Sequence, residues 1–105
     1  MVVPRTVEGR LQARITKFAL AQGCTVIRLH FGLGASAGWP DVLVLPQDRM
    51  PLFIEVKKPS EKPTELQLHR IKELRERGHA AIWVDNIGDA ENAIVAATGR
   101  GVGTS

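Results

Sequence analysis

Three stretches of the chain have the apolar spacing of amphipathic helices. They cover about residues 7–22, 64–77 and 89–97. Thr6 and Asp89 are placed to cap the first and third helices, because short polar side chains accept hydrogen bonds from the free N–H groups of a first turn. Gly23 and Gly78 follow the first and second helices and are expected to end them.

Four shorter apolar runs have the composition of β-strands. They cover residues 25–31, 41–45, 52–58 and 80–85. A turn between Pro46 and Pro51 joins the second and third strands, which predicts a hairpin. The fourth strand follows a helical crossover and is expected to run parallel to the third. The predicted fold class is therefore α/β, a mixed sheet flanked by helices in the order α-β-β-β-α-β-α.

Length and composition predict one domain. The chain has 105 residues, of which 44% are hydrophobic and 24% are charged, values unlike those of disordered chains. We expect a single domain over residues 1–98 and a flexible, glycine-containing tail over 99–105. No apolar run approaches the roughly 20 residues of a membrane span. Cys24 is the one cysteine and no apolar leader is visible, so we expect a cytoplasmic protein without a membrane partner.

Basic residues are concentrated near the N-terminus. The formal net charge is +3, and residues 1–30 contain five basic groups against one acid, Glu8. A phosphate backbone would be attracted to this region. The alternative is a solvated basic face with no partner, and charge by itself favours that alternative.

Three charged residues fall at the ends of the two hairpin strands. Asp41 opens the first of them, and Glu55 and Lys57 lie near the end of the second. Because side chains alternate along a strand, Glu55 and Lys57 share a face of the sheet. Asp41 joins them on that face if it lies directly opposite Glu55, a register that also pairs Leu43 with Phe53.

Two carboxylates beside a lysine allow two interpretations. Oxygen ligands of this kind hold a hard divalent cation such as Mg²⁺, and a neighbouring lysine can orient water or offset charge on a phosphate oxygen. An ion pair of Asp41 or Glu55 with Lys57 or Lys58 would satisfy the same charges without a metal. The two strands alone favour neither interpretation.

The order of these motifs resembles that of a known nuclease family. Gly38–Asp41 reads GWPD and Glu55–Lys57, after thirteen intervening residues, reads EVK, which resembles the PD-(D/E)xK nuclease signature. With Glu8 in the first helix and Gln67 downstream, the chain resembles the VRR-Nuc (virus-type replication-repair nuclease) family over about residues 6–85. The resemblance is strongest to its small stand-alone phage and bacterial members. It implies a restriction-endonuclease-like fold, dependence on Mg²⁺ or Mn²⁺, and hydrolysis of DNA phosphodiester bonds, often at branched or flap structures.

The resemblance also implies roles for individual residues. Asp41 and Glu55 would bind the metal, with the backbone carbonyl of Val56 as a further ligand. Lys57 would position water and stabilise charge in the reaction.

Two further residues of the resemblance also have structural explanations. Glu8 would reach the metal directly or through water, but a carboxylate in a first helical turn is favoured by the helix dipole in any case. Gln67 would hold Lys57 or the attacking water, but it stands three residues after Thr64 and can complete a capping box. Both explanations remain open for each residue.

Basic and aromatic residues near the motifs are candidate DNA contacts. They are Arg10, Arg14, Lys58, Lys62 and Trp39. The basic residues can instead be solvated charges, and Trp39 can cover the core rather than stack on an unpaired base.

With what the resemblance implies, these features predict an Mg²⁺-dependent endodeoxyribonuclease that selects branched, flap or four-way-junction DNA, with Mn²⁺ able to replace Mg²⁺. Cutting both strands of a junction symmetrically needs two active sites, so a homodimer is expected. One alternative is a DNA-binding accessory module of the same fold that does not cleave. A small structural α/β protein with an ion pair at the sheet end is another.

Overall fold

The computed structural model describes residues 6–29 and 37–99. The order α-β-β-β-α-β-α is confirmed. The elements are α1 Val7–Ala21, β1 Thr25–Arg28, β2 Val42–Leu45, β3 Leu52–Val56, α2 Glu65–Glu76, β4 Ala80–Val84 and α3 Ile87–Thr98. The strands are shorter than predicted by one to three residues. The predicted end of the first strand at residues 30 and 31, and the predicted tail beyond Gly99, lie outside the described residues.

The four strands form one mixed sheet in the order β1-β2-β3-β4. The first two pairings are antiparallel and the third is parallel, which confirms both the hairpin and the parallel crossover strand. Leu43 pairs with Phe53, which is the predicted register. Asp41 and Glu55, each two residues away from that pair, therefore lie on the same face of the sheet.

Helices pack against both faces of this sheet. On one face, α1 and α3 enclose a core that includes the fully buried Ile15, Ile54 and Ile94. On the other face, α2 packs through Ile71 and Leu74. Full burial of one such side chain stabilises the fold by roughly 1.5–3 kcal/mol. The sheet, including the ends of β2 and β3 where the charged residues lie, is thus packed between α1 and α3 on one face and α2 on the other.

Polar caps fix where two of the helices begin. The Thr6 hydroxyl accepts a hydrogen bond of 2.9 Å from the Gly9 N–H at the start of α1. The prediction that Asp89 caps α3 is wrong, because Asn86 is the cap and accepts a 2.8 Å bond from the Asp89 N–H. Asn86 has extended backbone, and its side-chain nitrogen donates a hydrogen bond to the Asp89 carboxylate. Asp89 therefore lies inside the first turn of α3, where it and Asn86 exchange hydrogen bonds.

Over residues 6–29 and 37–99, none of the helices combines the length and the hydropathy that crossing a membrane requires.

Candidate active site

Three acidic side chains from three separate elements meet at one end of the sheet. Glu8 comes from the first turn of α1, Asp41 directly precedes β2, and Glu55 lies near the end of β3. One carboxylate oxygen of each lies within 4.8 Å of the others. The hairpin register brings Asp41 and Glu55 together, and the packing of α1 on the same end of the sheet adds Glu8.

Asp41 is held by a hydrogen bond at each of its carboxylate oxygens. Oδ1 accepts a 3.3 Å bond from the Val56 N–H, and Oδ2 accepts a 2.8 Å bond from Gln12 Nε2. Gln12 was missed by the sequence reasoning. It lies four residues after Glu8, one helical turn away, so the periodicity of α1 could have placed it on the same side as Glu8.

Glu55 and Lys57 are buried charged residues, only 4% and 9% exposed. Lys57 Nζ lies 3.6 Å from Glu55 Oε2 and 3.9 Å from Glu61 Oε1. The Lys57 N–H donates a 2.8 Å hydrogen bond to the Val84 carbonyl, which holds the backbone beside β4. An ion pair of the kind that the sequence left open is therefore present between Lys57 and Glu55, but one lysine does not balance the carboxylates of Asp41 and Glu8 as well.

Gln67 takes part in both arrangements that the sequence left open. Its side-chain oxygen accepts a 2.9 Å bond from the Thr64 N–H, and the Thr64 hydroxyl accepts a 3.1 Å bond from the Gln67 N–H, which completes a capping box. The Gln67 side-chain nitrogen donates a 3.1 Å bond to Glu55 Oε2. Its contact is thus with Glu55 rather than with Lys57, because the capped start of α2 points at the end of β3.

The carboxyl groups of Asp41 and Glu55 bind protons more tightly than ordinary carboxylic acids do. Burial raises the pKa of Asp41 to about 6; the bond from the Val56 N–H lowers this pKa, and the charge of Glu8 raises it. Burial also raises the pKa of Glu55 to about 8, with repulsion by Asp41 adding to the rise and Lys57 opposing it. Desolvated carboxylates that repel one another favour the uptake of positive charge, whether protons or a cation.

The donor set fits a hard divalent cation. All three groups are carboxylates, the ligand class that Mg²⁺ prefers. When ionised they carry more negative charge than Lys57 balances, and a divalent ion would neutralise the excess. The Val56 N–H contacts Asp41, and a metal-binding role for the Val56 carbonyl remains a prediction.

The candidate DNA contacts fall in three different places. Arg10 and Arg14 follow Glu8 and Gln12 by two residues each, which turns them roughly 200° around the helix axis. They line a cavity of about 500 Å³ together with Val7, Leu11, Pro59, Asp85, Asn86 and Ile87. None of Glu8, Asp41 and Glu55 lines this cavity, so the two arginines are not part of the acidic cluster.

The other three candidates are close in sequence to Asp41 or Lys57. Lys58 and Lys62 are exposed in the connector that follows Lys57. Trp39 is half-buried, packs against the core beneath α2, and has the guanidinium carbon of Arg70 4.5 Å from its ring centre. Trp39 covers that core, and one face of its ring is occupied by Arg70.

Comparison with solved structures finds close similarity over most of the chain. A structure described as "VRR_NUC domain" is 34% identical, superposes with a TM-score of 0.73, and is matched over 85% of this chain and 95% of its own. A second, described as "VRR_NUC domain protein", is 20% identical with a TM-score of 0.72 and 90% coverage of each chain, which shows likeness of fold. No family profile and no curated protein matches the sequence.

Proposed function

Because the chain belongs to the VRR-Nuc family and has its restriction-endonuclease-like fold, we propose that it is a divalent-metal-dependent endodeoxyribonuclease. The observation that carries the proposal is the convergence of Glu8, Asp41 and Glu55 within 4.8 Å beside the buried Lys57. Neither the helix dipole nor a capping box requires three carboxylates at one point. Binding of a divalent cation, which takes several carboxylate oxygens as ligands, accounts for their convergence.

Glu8, Asp41 and Glu55 would hold the metal, which we propose to be Mg²⁺ with Mn²⁺ as a substitute. When bound, such an ion polarises a phosphoryl oxygen and lowers the pKa of water. Gln12 and the Val56 N–H keep the Asp41 carboxylate in one orientation, and Gln67 does the same for Glu55. Prearranged ligands of this kind avoid the cost of ordering them when the ion and substrate arrive.

Lys57 would stabilise charge and position water in the proposed reaction. Its ammonium group has little contact with solvent and lies beside the carboxylate of Glu55. A desolvated ammonium interacts strongly with a phosphate oxygen that gains charge, because little water screens it. Its three N–H donors can also orient the attacking water.

The first test is the metal dependence of cleavage by the wild-type chain. With Mg²⁺ or Mn²⁺ we expect DNA fragments, and with excess chelator we expect none, since the carboxylates alone repel phosphate. Ca²⁺ is expected to support DNA binding better than cleavage, because it is larger and looser in its coordination. Fragment formation is followed on gels and binding by fluorescence anisotropy. Metal-dependent binding without cleavage under all conditions would favour the non-cleaving DNA-binding module.

The second test concerns substrate and assembly. We propose that the enzyme acts on branched DNA as a homodimer in the cytoplasm. The described residues bring together one acidic cluster, and symmetric cutting of both strands of a junction needs two. Recognition would rest on backbone charge and DNA shape, with Lys58 and Lys62 beside the site and Arg10 and Arg14 on the flank of α1.

For this test we expect faster cutting of flap or four-way DNA than of linear duplex, binding that weakens steeply with salt, and a dimer by light scattering. A monomer that cuts linear and branched DNA equally would contradict the substrate and assembly proposals. The nuclease proposal would be unaffected by that result.

A further inference from the structure

The segment that leads into Asp41 is clamped against α2. This approach segment comprises residues 37–40. Arg70, in the middle of α2, donates a hydrogen bond of 3.3 Å from Nε to the Ala37 carbonyl. The same guanidinium lies over the Trp39 ring, 4.5 Å from its centre. One arginine thus contacts the segment through its backbone and through its largest side chain.

At a second point, Gly38, the approach segment passes very close to α2. Gly38 has a φ of +83°, and a Cβ there would lie only 2.6 Å from Leu66 Cγ. Leu66 precedes Arg70 by one helical turn, so both side chains lie on the flank of α2 that faces the segment. Only glycine fits this position, both for its backbone conformation and for its distance from Leu66.

Movement of the approach segment would pass directly to Asp41. Pro40 separates Trp39 from Asp41, is fully buried and has a fixed φ. Pro40 therefore leaves fewer backbone rotations that could absorb a shift at Trp39 before it reached Asp41. On the same helix, three residues before Arg70, Gln67 contacts Glu55. α2 is thus connected to both strand carboxylates, to Glu55 directly and to Asp41 through the approach segment.

From these contacts we infer that Arg70 is a positioning residue of the acidic site, which sets where the Asp41 carboxylate lies relative to Glu55. The inference rests on the proposed function, because its consequence is expressed in metal binding. Arg70 acts on the cluster through its contacts with Ala37 and Trp39. The planar guanidinium matters, because it donates to a carbonyl and stacks on a ring at once, which an ammonium cannot do.

Arg75 provides a matched control on the same helix. Its Nε also donates to a backbone carbonyl, that of Ala81, at 2.7 Å. Ala81 lies in β4, where the bond tethers the sheet rather than the approach segment. Arg70→Ala and Arg75→Ala both remove a bond to a backbone carbonyl and one positive charge. Arg70→Ala also removes the 3.4 Å ion pair with Glu73, and only this variant releases the segment that leads to Asp41.

The experiment uses the wild type and the variants Arg70→Ala, Arg70→Lys and Arg75→Ala. For each protein, calorimetry measures the affinity for Mn²⁺ and a thermal scan measures the stability. We expect Arg70→Ala to weaken Mn²⁺ binding about tenfold or more, the usual effect of losing a group that supports metal ligands. Arg70→Lys should fall in between, and Arg75→Ala should keep wild-type affinity. In a Trp83→Phe background, Trp39 is the remaining tryptophan. Its quenching by acrylamide should rise with Arg70→Ala.

The possible results separate the two proposals. Wild-type Mn²⁺ affinity in Arg70→Ala, or an equal loss in Arg75→Ala, would overturn the positioning role and leave the proposed function intact. A wild-type protein that binds no Mn²⁺ would overturn the proposed function and the inference with it. Because affinity is measured on the folded fraction defined by the thermal scans, a general loss of stability cannot be mistaken for a loss of positioning.

Discussion

Replacing Asp41 with asparagine is expected to reduce DNA cleavage by about two orders of magnitude or more, while DNA binding stays equal or becomes tighter. Asparagine keeps the shape of the side chain but removes a charged ligand and with it the electrostatic stabilisation of the reacting phosphate. Binding is preserved because the substitution removes a negative charge that repels DNA. Gel assays of cleavage and anisotropy measurements of binding on the same DNA separate the two effects.

Asp48→Asn is the matched control for this experiment. Asp48 lies in the exposed turn between β2 and β3 with a φ of +57°, a conformation that asparagine also tolerates. We expect this variant to cleave like the wild type. Lys57→Ala and Glu55→Gln should lose activity in the manner of Asp41→Asn. Undiminished cleavage by Asp41→Asn would remove the proposed metal site from consideration.

The second large effect concerns stability, and it distinguishes a metal site from a structural ion pair. In metal-free protein at pH 8, Glu55→Gln is expected to raise the free energy of unfolding. The pKa of Glu55 is about 8 in the folded state against 4.5 ordinarily. The folded state therefore holds this proton more tightly than the unfolded state, and the wild type loses stability as the pH rises from about 4.5 to 8. The total loss is on the order of a few kcal/mol.

Glutamine resembles the protonated acid, so the variant should escape this loss. Urea denaturation in chelator at pH 5 and at pH 8 measures the effect: near-equal stabilities are expected at pH 5, and a more stable variant at pH 8. Glu76→Gln, at the exposed end of α2, serves as a surface control. Added Mg²⁺ should stabilise the wild type and not the Glu55→Gln variant. Destabilisation by Glu55→Gln at pH 8 would instead identify the Glu55–Lys57 contact as a stabilising ion pair.

The sequence predicted the features that depend on local pattern. The strand register could be predicted because alternation and a short turn restrict it, and that register alone places Asp41 across from Glu55. The position of the arginines could have been predicted as well. Helical periodicity turns Arg10 away from Glu8, whereas a count of charge along the chain does not record which side of a helix each charge occupies.

Other features depend on how distant segments pack. The bond from Gln12 to Asp41 exists only because α1 docks against the end of β2. The contact of Arg70 with Trp39 requires α2 to lie on the approach segment, and no spacing in the sequence encodes that distance. The choice of Asn86 over Asp89 as a cap was not decided by residue type, since both residues cap well. It depended on where β4 ends and α3 turns toward the core.

The two bonds made by the side chain of Gln67 limit how this position can change over evolution. For the start of α2 alone, glutamate would serve as well as glutamine, because either can complete a capping box. Glutamate, however, has no nitrogen to donate to Glu55 and would add a fourth negative charge to the cluster. The change from glutamine to glutamate, which needs one nucleotide and which the helix would tolerate, is therefore disfavoured by the site. A descendant of this chain with glutamate at position 67 would keep the capped start of α2 but lose the hydrogen bond that orients the Glu55 carboxylate.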